Sequence, residues 1–119
     1  MAHGGALREV SGDPALASQV MHDYTKADLD PQTRAMLDFA VLLTREPGSV
    51  RKEHVDELKQ AGLTDEQVLS VVLITCHFNF MTRLADGLGV ELDEGTEEWV
   101  MDWLTGPATE QQWLVEPDE

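Results

Sequence analysis

Cysteine is almost absent from this chain, and Cys76 is its single thiol. One cysteine can form neither an internal disulfide nor a cysteine-rich metal site. The four histidines are also scattered, and none has a histidine or a carboxylate four residues away, the spacing that places two metal ligands on one helix face. We therefore expect no bound metal and no cofactor.

Basic residues are scarce as well. The chain has eight Lys and Arg residues and 23 Asp and Glu residues, so its net charge is −15. No Lys or Arg follows Arg83. This balance argues against nucleic acid, whose phosphates need a basic surface, and against anionic membranes. The sequence also lacks a secretory hydrophobic region, so we expect a cytoplasmic protein with a solvated acidic surface.

Strand-like alternation and internal repeats are missing too, and the apolar residues recur with helical spacing. Asp30 followed by Pro31 is a typical helix start, with the carboxylate as N-cap and proline at the first helical position. Ser49 is predicted to cap the next helix. We predict an all-α fold, a helical bundle of about five helices, with a single domain over residues 1–106 and an acidic C-terminal tail over residues 107–119.

The most apolar stretch begins at Thr64. Thr64 and Gln67 have the spacing of a capping box. Six of the seven residues in 68–74 are apolar, which covers more than one helix face and indicates burial. We predict one long buried central helix over about residues 64–86, with Cys76 in its buried interior.

Polar side chains in the second half of this helix recur at steps of three and four, at Thr75, Asn79, Thr82, Arg83 and Asp86. Such spacing forms one polar stripe. We predict that this stripe is a hydrogen-bonded seam, with Arg83 paired to a carboxylate of the 30–46 helix. His77, Asn79 and Arg83 also interrupt the apolar run, which argues against a membrane span.

Downstream, Thr96 is predicted to cap a last helix in which Trp99 and Trp103 lie one turn apart. Two tryptophans at this spacing favour docking on the core or on a neighbouring subunit. Since the central helix is also too apolar to be covered by one short chain, we expect a homo-oligomer, a dimer or larger.

Three segments resemble a known family: DPQTRAMLDFAVLLTREP, VDELKQAGLTDEQVLSVVLI and FNFMTRLADGLGVELD. Their order and spacing are similar to the alkylhydroperoxidase D-like, carboxymuconolactone decarboxylase superfamily, and most of all to its "peroxidase-related" branch. The resemblance runs from His3 to about Asp93 and implies the AhpD-like helical fold. Thr82 departs from the pattern, since this branch often has asparagine there.

In that family the chemistry resides in an upstream motif: a glutamate, a Cys-x-x-Cys pair, and a histidine four residues after the second cysteine. The stretch from His3 to Arg8 resembles the end of this motif, which would place the second cysteine just ahead of Met1. The chain therefore resembles the C-terminal half of a family member, without the Cys-x-x-Cys motif. A misassigned start, a fragment and a truncated gene are all open explanations.

The resemblance implies thiol-dependent reduction of hydroperoxides, which needs a reactive thiolate and a resolving thiol. His3 and Cys76 are the candidate catalytic residues, although burial would blunt the reactivity of Cys76. His77 is adjacent to Cys76 in sequence, but neighbours on a helix point about 100° apart and do not form a dyad by adjacency.

Two hypotheses follow. The chain is an alkylhydroperoxidase-like protein that is inactive in this form because the redox pair is absent, or it is a non-catalytic oligomer, a structural or small-ligand-binding remnant of that fold. A thiol reductant would be its partner only if an upstream cysteine pair exists. A ring-opening decarboxylase is the weaker alternative, because its anionic substrate would meet few cations here.

Overall fold

The computed structural model describes the backbone of residues 2–13, 15–91 and 93–96, and the side chains in these ranges from Ala6 onward. Every regular element in the described ranges is helical, which confirms the all-α prediction. The helices are α1 (Ala2–Ser11), α2 (Leu16–Asp23), α3 (Pro31–Arg45), α4 (Lys52–Gln60) and α5 (Asp65–Gly87), with 3-10 turns at Tyr24–Lys26 and Pro47–Ser49. The predicted helix with Trp99 and Trp103, and the predicted boundary after residue 106, lie outside the described residues.

The chain forms two compact units, of which the first comprises Met1–Asp28 and Glu91–Glu119. In its described part, α1 packs against α2. Ala17 and Ser18 of α2 are buried. The side chain of Arg8 on α1 donates a hydrogen bond to Ser18 Oγ at 3.2 Å, which ties the two helices together.

The second unit, Leu29–Val90, contains α3, α4 and α5. Helix α3 packs against both of the others. Its buried core joins Phe39 of α3, Leu58 of α4, Leu63 of the connection and Val68 of α5. Complete burial of such a side chain stabilises a fold by about 1.5–3 kcal/mol, so this small cluster is the main attachment among the three helices.

The connection between α4 and α5 is a Schellman motif. Gly62 has a φ of +101°, a left-handed conformation that favours glycine. The Leu63 amide donates to the Leu58 carbonyl at 3.2 Å, and the Gly62 amide donates to the Lys59 carbonyl at 2.9 Å. The motif brings Leu63 back onto Leu58 and fixes the direction in which α5 departs.

The predicted caps of α3 and α5 are present. Asp30 Oδ1 accepts the Thr33 amide at 2.9 Å and Oδ2 accepts the Thr33 hydroxyl at 2.6 Å. These bonds, the hydroxyl bond first, hold the pKa of Asp30 below its ordinary value. At α5, Thr64 Oγ1 accepts the Gln67 amide at 3.2 Å and Gln67 Oε1 accepts the Thr64 amide at 2.8 Å, which completes the capping box.

The prediction that Ser49 caps α4 is wrong. Ser49 ends a 3-10 turn, and its hydroxyl donates to Glu46 Oε2 at 3.4 Å. Helix α4 begins at Lys52 instead, and the imidazole Nδ1 of His54 accepts the Arg51 amide at 2.9 Å. Pro47 begins a short 3-10 turn of its own before the helix, and the cap position moves from Ser49 to Arg51, two residues later.

Helix α5 has the predicted bounds but lacks the predicted burial within this chain. Val68 is its buried residue among those described. A row of large apolar side chains is instead 41–63% exposed: Leu69, Leu73, Ile74, Phe78, Phe80, Met81 and Leu84. We call these seven residues the apolar face of α5. Helices α3 and α4 pack against one side of α5. Because α5 carries apolar residues on more than one side, the remaining apolar side chains stay exposed.

Helix α5 is also long and apolar enough to cross a membrane by length and composition, in the part of the chain that the structure describes. Core helices of soluble proteins meet the same criteria. Asn79 donates a side-chain hydrogen bond to Thr44 of α3 at 3.1 Å, and Arg83 lies one turn further on. These polar groups interrupt the apolar run of α5.

Truncation of the core should be far more costly than truncation of an exposed leucine. Leu58→Ala removes a side chain that is 1% exposed, and we expect it to lower the free energy of unfolding by about 2–5 kcal/mol. The matched control, Leu88→Ala, alters a side chain that is 73% exposed and should change stability by less than about 0.5 kcal/mol. Urea unfolding followed by circular dichroism measures both, and equal losses would contradict the core described above.

Candidate functional site

The two candidate catalytic residues lie in different units. His3 belongs to α1 in the first unit, and its side chain lies outside the described residues, so its predicted role stays a prediction. Cys76 lies near the middle of α5 in the second unit. The second unit therefore holds the candidate site that can be built from described side chains.

The Cys76 thiol is exposed, so the prediction that it is buried is wrong. It lines a shallow open groove of about 370 Å³. From α5 the groove takes Cys76, Asn79, Phe80 and Arg83, and from the end of α3 and the following turn it takes Leu43 and Pro47. Steps of three and four residues place the α5 members on one side of the helix, which explains why they line one groove.

Asn79 anchors this groove to α3. Its side-chain amide donates to Thr44 Oγ1 at 3.1 Å across the helix pair. A neutral hydrogen bond of this kind contributes about 0.5–1.5 kcal/mol net. The predicted polar seam thus exists at Asn79, where it fixes the packing of α5 on α3.

Arg83 does not complete the seam in the predicted way. Its Nη1 donates to the Asn79 backbone carbonyl at 3.2 Å, within α5. Among the described residues it forms no ion pair, and the expected carboxylate from the 30–46 helix is not its partner. The guanidinium therefore remains a positive charge at the wall of the same groove, about two helical turns from Cys76.

The two threonines of the stripe form their side-chain hydrogen bonds within α5. Thr75 Oγ1 donates to the Val71 carbonyl at 2.8 Å, and Thr82 Oγ1 donates to the Phe78 carbonyl at 2.9 Å. Hydroxyls bonded to the preceding turn contribute little to packing between helices. Within the described residues the stripe therefore contributes one inter-helix hydrogen bond, that of Asn79 with Thr44.

His77 is separate from the groove. Its ring packs edge-on against Phe78, with centroids 5.3 Å apart and planes at 76°. The groove lining described above does not include it. Adjacency to Cys76 therefore does not create a thiol–imidazole pair, as the helix geometry predicts.

This arrangement offers a limited chemistry. The groove brings together one thiol, one amide and one guanidinium on an apolar wall. No group of three His, Cys, Asp or Glu residues among those described could hold a metal ion. The site could bring a small molecule beside a thiol, but its described lining contains neither a second thiol nor an imidazole base.

Comparisons with known proteins point to one group. No protein-family profile matches the chain, and no curated protein matches it. Solved structures do match. An uncharacterized peroxidase-related protein from Silicibacter sp. TM1040 is 32% identical with a TM-score of 0.72, and the match covers 78% of this chain and 49% of that one.

A second solved structure agrees with the first. It is described as an alkylhydroperoxidase AhpD core, an uncharacterized peroxidase-related protein from Ralstonia eutropha JMP134. It is 32% identical with a TM-score of 0.71, and the match covers 87% of this chain and 51% of that one. The present chain thus spans about half the length of each of these relatives.

Exposure of Cys76 can be tested directly with a thiol reagent. We expect the native protein to react with Ellman's reagent to the same stoichiometry as the urea-unfolded protein, one thiol per chain, because the side chain is open to solvent. Cys76→Ser is the control and should give no signal. A reaction that requires denaturant would contradict the exposed position of the thiol.

Proposed function

Because this chain belongs to the AhpD-like, peroxidase-related family, we propose that it acts in thiol-dependent hydroperoxide reduction as the C-terminal helical half of the family fold. We further propose that these 119 residues do not turn over peroxide by themselves. The observation that carries the second statement is the single thiol, Cys76, in a groove whose described lining has no imidazole.

The balance of the reaction shows why one thiol is insufficient. A thiolate attacks one peroxide oxygen, the O–O bond breaks, and the departing alkoxide takes a proton to become an alcohol. The sulfur, now oxidised to a sulfenic acid, is attacked by a second thiol, which forms a disulfide and releases water. A chain with one cysteine can supply the first thiol or the second, and the other must come from another molecule.

The environment of Cys76 gives mixed support for the first step. Arg83 lines the same groove, about two helical turns from Cys76, and the thiol is open to solvent. An adjacent imidazole, the common device for activating a thiol, is absent from the described lining. The groove therefore offers an accessible thiol without an imidazole base in its described lining.

Peroxide turnover tests this proposal. We expect the 119-residue chain to consume cumene hydroperoxide with dithiothreitol no faster than its Cys76→Ser variant, because dithiothreitol can supply the second thiol but the described groove lining holds no imidazole to activate the first. Loss of hydroperoxide is followed by a ferrous xylenol orange assay, with the buffer and dithiothreitol as background. Robust turnover that disappears in Cys76→Ser would overturn the proposal.

A second candidate function rests on a different observation, the apolar face of α5. Monomeric soluble proteins rarely expose large contiguous apolar surfaces, and such surfaces mark sites of association. Leu73 and Phe80, 59% and 63% exposed, lie two turns apart on this face. This supports a non-catalytic, structural role in which the chain associates with copies of itself and covers α5.

Assembly has a direct physical readout. We expect sedimentation velocity to give a mass of at least two chains, above the 13.2 kDa of one. Leu73→Glu places a charge on the apolar face, where burial would leave it unpaired, and should shift the population towards the single chain. Val10→Glu, at a side chain that is 86% exposed in the other unit, is the matched control and should leave the mass unchanged.

The same measurement separates the two candidates. A wild-type mass of 13.2 kDa at micromolar concentration would refute assembly while leaving the peroxide result intact. An unchanged mass in Leu73→Glu would show that the chains associate through another surface.

A further inference from the structure

A second concave surface in the Leu29–Val90 unit lies away from the Cys76 groove. It is a cleft of about 200 Å³ between α3 and α4. The two surfaces share no lining residue. Whatever this cleft binds is therefore independent of the thiol and of the proposed function.

The cleft has an apolar interior. Phe39 of α3 and Leu58 of α4, which are 6% and 1% exposed, contribute to its wall. Ala35, one turn before Phe39, also lines it and leaves room that a larger side chain would fill. An apolar cavity of about 150 Å³ is large enough to take a benzene ring, so this cleft has the capacity for a small aromatic or branched alkyl body.

Two carboxylates lie at the same cleft. Asp38 Oδ1 is 3.3 Å from Arg34 Nε, so part of its charge is compensated. Glu57 also lines the cleft, and within the described ranges it forms no ion pair. Residues 29–90 carry nine acidic and six basic side chains, so the unit that holds this cleft is itself net negative, which favours a cation.

The remaining polar group does not favour a metal ion. His54 lines the cleft, but its Nδ1 accepts the Arg51 amide at 2.9 Å as part of the start of α4. The neutral ring therefore carries its proton on Nε2, which makes that nitrogen a donor. Within the described residues no group of three potential ligands is close enough to hold a metal.

We propose that this cleft binds a small organic ammonium ion, a primary amine on an apolar body about the size of one benzene ring. The apolar body occupies the space between Ala35, Phe39 and Leu58. The ammonium group lies towards Glu57, with Asp38 as a weaker second acceptor. Charge complementarity selects the amine over neutral or anionic molecules of the same shape.

Nuclear magnetic resonance of the full 119-residue chain tests the cleft with benzylammonium as the probe. We expect saturable shifts confined to amides of α3 and α4, at millimolar probe concentration. Benzyl alcohol should bind more weakly and benzoate more weakly still, since they keep the ring and lose or reverse the charge. Equal binding of benzoate, or shifts that never saturate, would overturn the proposal.

Matched variants locate the ammonium group. Glu57→Gln should weaken benzylammonium binding by about two- to fivefold, the range expected for a solvent-exposed ion pair. Glu66→Gln, on exposed α5 and away from the cleft, makes the same charge change and should leave binding unchanged. Equal weakening in both variants would show that binding depends on the net charge of the chain alone, and would refute a site at Glu57.

A steric variant locates the apolar body. Ala35→Leu should fill the cleft and abolish the localised shifts, with thermal unfolding used to confirm that the protein still folds. If this variant is destabilised, the comparison of Glu57→Gln with Glu66→Gln decides the result. Undiminished binding in a folded Ala35→Leu protein would contradict the assigned position of the ring.

Discussion

The buried contact among Phe39, Leu58, Leu63 and Val68 is what the described second unit depends on. Each residue comes from a different segment, so the cluster joins α3, α4, the connection and α5 at one point. Gly62 makes the cluster possible, because its left-handed backbone brings Leu63 back onto Leu58. The same packing leaves two concave surfaces on the unit. One is the Cys76 groove, and the other is the cleft between α3 and α4 that Asp38 and Glu57 line, called the acidic cleft below.

This core is too small for the apolar surface that the chain carries. Helix α5 presents apolar residues around much of its circumference, while α3 and α4 bury it at Val68 and half-cover a few neighbours. The solved relatives are about twice as long, and the present chain spans about half of each. Helix α5 therefore keeps an uncovered apolar face, and the association between chains proposed above would cover it.

The acidic cleft shows that a scaffold can carry recognition chemistry of its own. Its apolar wall is part of the core, while its carboxylates belong to the outer faces of α3 and α4. The excess of acid over base, which argues against nucleic acid as a partner, is also the basis of the cation preference proposed for this cleft.

Features set by neighbours in sequence could be predicted from the sequence alone. The caps at Asp30 and Thr64, the end of α4 at Gly62 and the bounds of α5 depend on hydrogen bonds that span three to five residues. The family could also be predicted, because the order of motifs survives in the chain. The cap of α4 was missed, since His54 accepts the bond that Ser49 was expected to make, and imidazole is not among the usual capping groups.

Tertiary structure alone decided which side of α5 is covered, and therefore that Cys76 is exposed and that Asn79 contacts Thr44. It also decided that Arg83 forms a hydrogen bond within its own helix, and not the expected ion pair with a carboxylate of α3. The reason is that the sequence of a helix with apolar residues on several sides does not indicate which side is buried. Its burial is assigned by the helices that pack against it, and the long-range contacts of its polar residues follow from that choice.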